Sequence, residues 1–94
     1  MTGVHRTAAQ QIGAEAAVLA LHSALRRRGI AARDGDLPGS VRAEYAGRHV
    51  TVRYVDHRWW RPMRGEPHVT VPVAHEGGED HLARDLVSEL LGRL

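Results

Sequence analysis

The chain has 94 residues, the size of one small domain, and no cysteine, which excludes disulfides and thiolate metal sites. All thirteen basic residues are arginine, against eleven acidic residues, for a net charge of +2. The charge is uneven: residues 1–64 carry eleven Arg and five acids, residues 65–94 two Arg and six acids. Such a split implies an anionic partner for the first part, or attraction between the two parts within the fold or across a dimer. Lys, Asn and Phe are missing while Ala and Gly are abundant, a pattern of GC-rich coding that lowers the weight of arginine as a sign of binding.

The amino terminus lacks the basic, apolar and small-residue succession of a secretory signal. The longest apolar run, Ala16–Leu21, falls far short of the roughly 20 residues of a membrane span. The expectation is a soluble, cytoplasmic protein, with residues 1–6 frayed and 1–94 forming a single domain.

A long helix is expected from Thr7 to Arg28. Thr7 and Gln10 have capping-box spacing, Arg26, Arg27 and Arg28 suit the negative end of the helix dipole, and Gly29 is a stop. At about 100° per residue, Ala14, Ala17, Val18, Leu21 and Leu25 share one stripe. Ile12, Ala16 and Leu19 fall nearly opposite, as an ordinary apolar patch or a face for self-association. Ile30–Ser40 is a connection rich in turn residues, with Ile30–Ala32 a candidate short strand.

A hairpin follows. Val41, Ala43 and Tyr45 alternate with Arg42 and Glu44; after a turn at Ala46-Gly47-Arg48, Val50, Val52 and Tyr54 alternate with Thr51 and Arg53. Asp56-His57 is a second turn, after which Arg58–Arg61 returns as a third strand or continues one long bent strand. Neighbouring strand residues face opposite ways, so one of Trp59 and Trp60 enters the core and the other is more exposed. Pro62 ends ladder donation, Met63–Pro67 is a loop, and His68–Val73 is the last strand, with Pro72 marking an edge. Glu79–Leu91 forms a second helix, with Leu82, Leu86 and Leu90 on its apolar face and Glu79 and Asp80 in its first turn. The fold class is therefore α+β: a long N-terminal helix, a three- to four-stranded antiparallel sheet and a C-terminal helix, with both helices on one face.

Chemistry is sparse. His75 and His81 with Glu76, Glu79 or Asp80 match no metal-ligand spacing, and no metal or cofactor is implied. Ser23, Ser40 and Ser88 lie outside any nucleophile elbow. Gly77-Gly78 precedes a helix, but the surrounding Glu76, Glu79 and Asp80 repel phosphate. A pocket around His57, Trp59 and His68 is a third-ranked reading. The densest feature is Arg53, Arg58, Trp59, Trp60, Arg61 and Arg64, a candidate protein or nucleic-acid contact, since Arg pairs with phosphate and Trp stacks on bases. The bland account is one core Trp beneath solvated arginines.

The helix–strand–strand–strand–helix order is similar to that of double-stranded-RNA-binding domains. That family contacts RNA through a Lys-rich start to its last helix; here Gly77-Gly78-Glu79-Asp80-His81 is acidic, so RNA binding is not implied. The expected function is a small non-enzymatic protein-interaction or regulatory module that self-associates as a homodimer. The alternative is a nucleic-acid-binding module using the Arg/Trp sheet surface.

Overall fold

The computed structural model describes residues 2–63 and 65–92, with side chains described from residue 13 onward. The elements are α1 (Thr2–Arg27), β1 (Ala31–Asp34), β2 (Ser40–Tyr45), β3 (Arg48–Val55), β4 (Arg58–Met63), β5 (Glu66–His75) and α2 (Glu79–Leu90). The class is α+β, but the sheet has five antiparallel strands, not three or four, in the sequential order β1-β2-β3-β4-β5. Two differences account for the count. Ala31–Asp34 pairs with Val41–Glu44 as a full edge strand, and Arg58–Met63 returns as a strand of its own instead of continuing β3. Five strands also depart from the three-stranded order of double-stranded-RNA-binding domains. Among the described residues, no helix is long and apolar enough to cross a membrane.

The first helix reaches Thr2, upstream of the N-cap expected at Thr7. A capping box marks a permitted start, yet further turns add cheaply once a helix is nucleated. Its end matches expectation. Ile30 N–H donates to Leu25 O at 3.1 Å and Gly29 N–H to Arg26 O at 3.0 Å, the paired bonds of a Schellman motif. Leu25 and Ile30 are both buried, giving the apolar contact that accompanies it.

Both helices cover the same face. Ala17, Leu21, Ala24 and Leu25 of α1 and Leu82, Ala83, Leu86 and Leu90 of α2 meet Ala32, Val41, Ala43, Val50, Val52, Tyr54 and Trp59 from the sheet. Strand alternation supplies the sheet side: Val41 and Ala43, then Val50, Val52 and Tyr54, point inward while Arg42, Glu44, Thr51 and Arg53 point away. Tyr45, in phase with the buried set, is exposed at the end of β2.

The hairpins are tight. Tyr45 pairs with Arg48 across Ala46 (φ 52) and Gly47 (φ 82), and Val55 pairs with Arg58 across Asp56 (φ 53) and His57 (φ 65). Both are two-residue turns with left-handed central residues, the arrangement whose twist matches paired strands. Gly39 (φ 76) lies against Tyr54, which donates its N–H to Gly39 O at 2.9 Å; a Cβ on Gly39 would sit 3.0 Å from Tyr54 O. β5 runs Glu66–His75, longer at both ends than the His68–Val73 expected, and its register against β4 shifts between Trp59 and Trp60 and again between Pro62 and Met63. Bulges of this kind bend and twist a sheet.

Ala46 occupies a left-handed conformation that disfavours a Cβ and that Asn tolerates well. Ala46→Asn should stabilise the fold by about 1 kcal/mol, raising Tm by roughly 4–8 °C for a domain of this size. Thermal denaturation followed by circular dichroism measures it; an unchanged or lower Tm contradicts the turn geometry.

Candidate interaction surface

The two tryptophans part company at the sheet. Trp59 is fully buried, at 0% exposure, with its ring 5.5 Å from that of Tyr54 in an edge-to-face arrangement. An indole N–H in a core needs an acceptor. Trp59 Nε1 donates to Glu79 Oε2 at 2.9 Å, and Glu79, itself only 6% exposed, also accepts from Gly77 N–H at 3.1 Å. Trp60, one residue on, is half-buried on the opposite face and donates its indole N–H to Val55 O at 3.1 Å.

The arginines of the candidate set are dispersed as well. Arg61 is held by Glu89 of α2 through two bonds of 2.6 and 3.1 Å, and this carboxylate keeps the guanidinium pKa above its usual value. Arg58 is exposed at the start of β4, and Arg64 lies outside the described residues. Arg53 stands directly opposite Trp60 in the β3–β4 register. Of the proposed self-association stripe, Ala16 and Leu19 face solvent, Leu19 at 67% exposure; the Ile12 side chain lies outside the description.

The uneven charge is partly taken up inside the fold. Arg28 and Arg27, at the end of α1, reach Asp80 in the first turn of α2 at 3.0 and 3.5 Å. Arg28 holds the Asp80 pKa below the usual carboxylate range. Arg48 donates to Leu90 O at the end of α2 at 3.4 Å. The acidic histidine-rich segment is likewise divided. Glu79 faces the core, Asp80 faces Arg28, and His81 Nδ1 accepts from Arg84 at 2.9 Å. Glu76 accepts from the Tyr54 hydroxyl, and the same oxygen lies 2.7 Å from His57 Nδ1. This Tyr–Glu–His junction ties the β3–β4 turn to the β5–α2 connection, where Glu76 N–H also donates to His57 O at 2.8 Å. His68 is seven residues from His75 along β5, so the suggested His57–Trp59–His68 pocket does not assemble.

The face away from the helices forms a groove of about 1070 Å³. Its floor carries Arg42, Thr51, Arg53 and Trp60; the β1–β2 loop, with Asp36 and Leu37, makes one wall, and Pro62 and Thr70 make the other. Arg33 and Arg42 both bind Glu44, and Arg33 first, then Arg42, pull its pKa down. Arg53 is pinned through Nε to Pro38 O at 3.0 Å. Beneath the loop, His22 Nε2 lies 3.3 Å from Asp34 Oδ1 without hydrogen-bond alignment. Volume and lining suit a site for a ligand or a short segment of a partner. Sequence spacing alone gave no sign of this groove, because its residues come from five strands and a loop.

No protein-family model, curated protein or solved structure matches the chain.

Two titrations follow. Burial, then the Glu76 hydrogen bond, pushes the Tyr54 phenol up to about 12. An unfolded tyrosine ionises near 10, so Tyr54 contributes stability below about pH 10 that is lost as pH rises toward 12. Absorbance at 295 nm should show one phenol titrating at about 12, and Glu76→Gln should lower that midpoint. At the acid end, His57 and then Tyr54 lower the Glu76 pKa, as Arg partners lower Glu44 and Asp80. These carboxylates stabilise the fold above about pH 4.5 and lose that contribution as pH falls. Urea midpoints measured from pH 6 down to pH 3 should fall less in Glu76→Gln than in the wild type.

Proposed function

We propose that the chain is a small non-enzymatic protein-interaction module that takes its partner on the uncovered face of the sheet. The observation that carries the reading is the groove on that face, where a pinned tryptophan and a pinned arginine lie side by side. Trp and Arg are the residues most enriched at protein contacts that dominate binding energy. Each is preorganised by a backbone hydrogen bond, Trp60 to Val55 O and Arg53 to Pro38 O, so little side-chain entropy remains to be lost on binding. A nucleic-acid strand fits this face less well. Glu44 occupies Arg33 and Arg42, Arg61 turns away to Glu89 on the helix side, and Asp36 and Leu37 line the wall, whereas a phosphate backbone needs a run of available cations.

A second contact is proposed on α1, where exposed Leu19 sits among Ala16 and Ala20 as a face for a second copy of the chain. Sedimentation at micromolar concentration should give a dimer, and Leu19→Asp a monomer. A monomeric wild type removes this contact and leaves the groove reading intact.

Peptide display against the immobilised full chain tests the groove. Selected binders should lose about tenfold or more in affinity on Trp60→Ala, the scale of a central anchor, and be unaffected by Leu19→Asp. Binders indifferent to Trp60→Ala, or no binders at all, would overturn the proposal.

A further inference from the structure

We infer that the groove recognises an extended protein segment carrying a carboxylate side chain two positions from an aromatic one, with Arg53 receiving the carboxylate and Trp60 the ring; this rests on the groove being a protein contact. The argument is one of missing counter-charge. Of the four arginines that line the groove, Arg33 and Arg42 share Glu44, and Arg61 turns its guanidinium to the helix side, where Glu89 binds it. Arg53 has no carboxylate within 4.0 Å among the described residues, although it is half-buried on the floor. Its Nε is committed to Pro38 O, which fixes the plane of the guanidinium and leaves the two Nη groups as a fork. A carboxylate matches that fork with two parallel bonds.

Trp60 defines the second requirement. Its only polar atom is already satisfied by Val55 O, so the ring offers a flat apolar surface and no donor. Arg53 and Trp60 are direct cross-strand partners, which sets their Cβ atoms about 5 Å apart. Side chains two positions apart in one extended segment share a face about 7 Å apart and reach both. The walls agree with such an occupant: Leu37, Val55 and Pro62 are apolar, and Thr51 and Thr70 offer hydroxyls to a passing backbone. Asp36 on the wall and Glu44 on the floor disfavour a ligand with a dense row of negative charge, so a single carboxylate flanked by neutral residues is the better match.

Isothermal titration with three capped peptides tests this, each with phenylalanine, one variable residue two positions away, and otherwise glycine and serine. The variable residue is aspartate, asparagine or lysine. The aspartate peptide should bind, the asparagine peptide should bind about tenfold more weakly, and the lysine peptide should not bind. On Arg53→Glu the order should reverse, the lysine peptide binding best; loss of stability alone cannot produce such a swap. The Trp60 indole N–H resonance should shift on binding while that of Trp59 stays put. Equal affinity for the aspartate and asparagine peptides, or no reversal on Arg53→Glu, overturns the carboxylate inference. If display-selected peptides depend on Trp60 yet lack acids, the interaction reading stands and this inference falls. If a short oligothymidylate binds through Arg53 and Trp60 and no peptide does, both fall.

Discussion

A single buried hydrogen bond, from the Trp59 indole to Glu79, joins the pieces on which the rest of the fold depends. Trp59 lies in the middle of the sheet, paired with Tyr54 on β3 and Ala74 on β5. Glu79 stands in the first turn of α2 and draws in Gly77 N–H from the preceding connection. Burying a carboxyl group is unfavourable in itself. Here N–H donors and the positive end of the α2 dipole offset the desolvation, and the bond dictates where α2 begins relative to the sheet. The same choice fixes the phase of β4: with Trp59 inward, Trp60 has only the outer face available.

Around that bond the charged side chains act as fasteners between elements distant in sequence. Arg28 and Asp80 close the junction of the two helices, Arg61 and Glu89 tie β4 to α2, and Tyr54, Glu76 and His57 link the β3–β4 turn to the β5–α2 connection. Exposed pairs such as Arg27–Asp80 are each worth little. The half-buried Arg61–Glu89 fork is better placed, since two parallel bonds hold both side chains in one geometry. Arginines of the first two-thirds thus meet acids of the last third within one chain. Attraction between the two parts, one of the alternatives that the uneven charge allowed, operates inside the fold.

Local patterns were the legible part. Alternation in Val50–Tyr54, the stripe of Leu21 and Leu25, the Gly29 stop and the Asp56-His57 turn rest on periodicity and turn chemistry within a few residues, and the fold contains all of them, while the first turn closes one residue sooner than expected, with Arg48 already in β3. The short strand Ala31–Asp34 was barely visible, because an edge strand with one buried residue has no period to read. Pro62 looked like an end to β4, yet the strand runs through it to Met63, since a residue beside a bulge can forgo its ladder bond. The Arg/Trp run looked like one surface only because it is contiguous in sequence. Strand geometry sends Trp59 and Arg61 toward the helices and Trp60 away from them. The groove, and the isolation of Arg53 within it, depend on which acids other strands deliver, and nothing in the spacing of the chain encodes that.

The core and the open face are therefore not independent designs. The phase that buries Trp59 exposes Trp60, and the register that sets Trp59 against Tyr54 also sets Trp60 against Arg53. The shift between Trp59 and Trp60 leaves an extra residue on β5 beside this row, bending the sheet where the groove lies. A one-residue slip of β4 would exchange the two tryptophans and remove the Glu79 bond and the groove floor together. Such a slip would also turn Arg61 outward and break its two bonds to Glu89. The groove floor is thereby set by the same register as the core bond behind it, in a chain of 94 residues with no cysteine to form a disulfide.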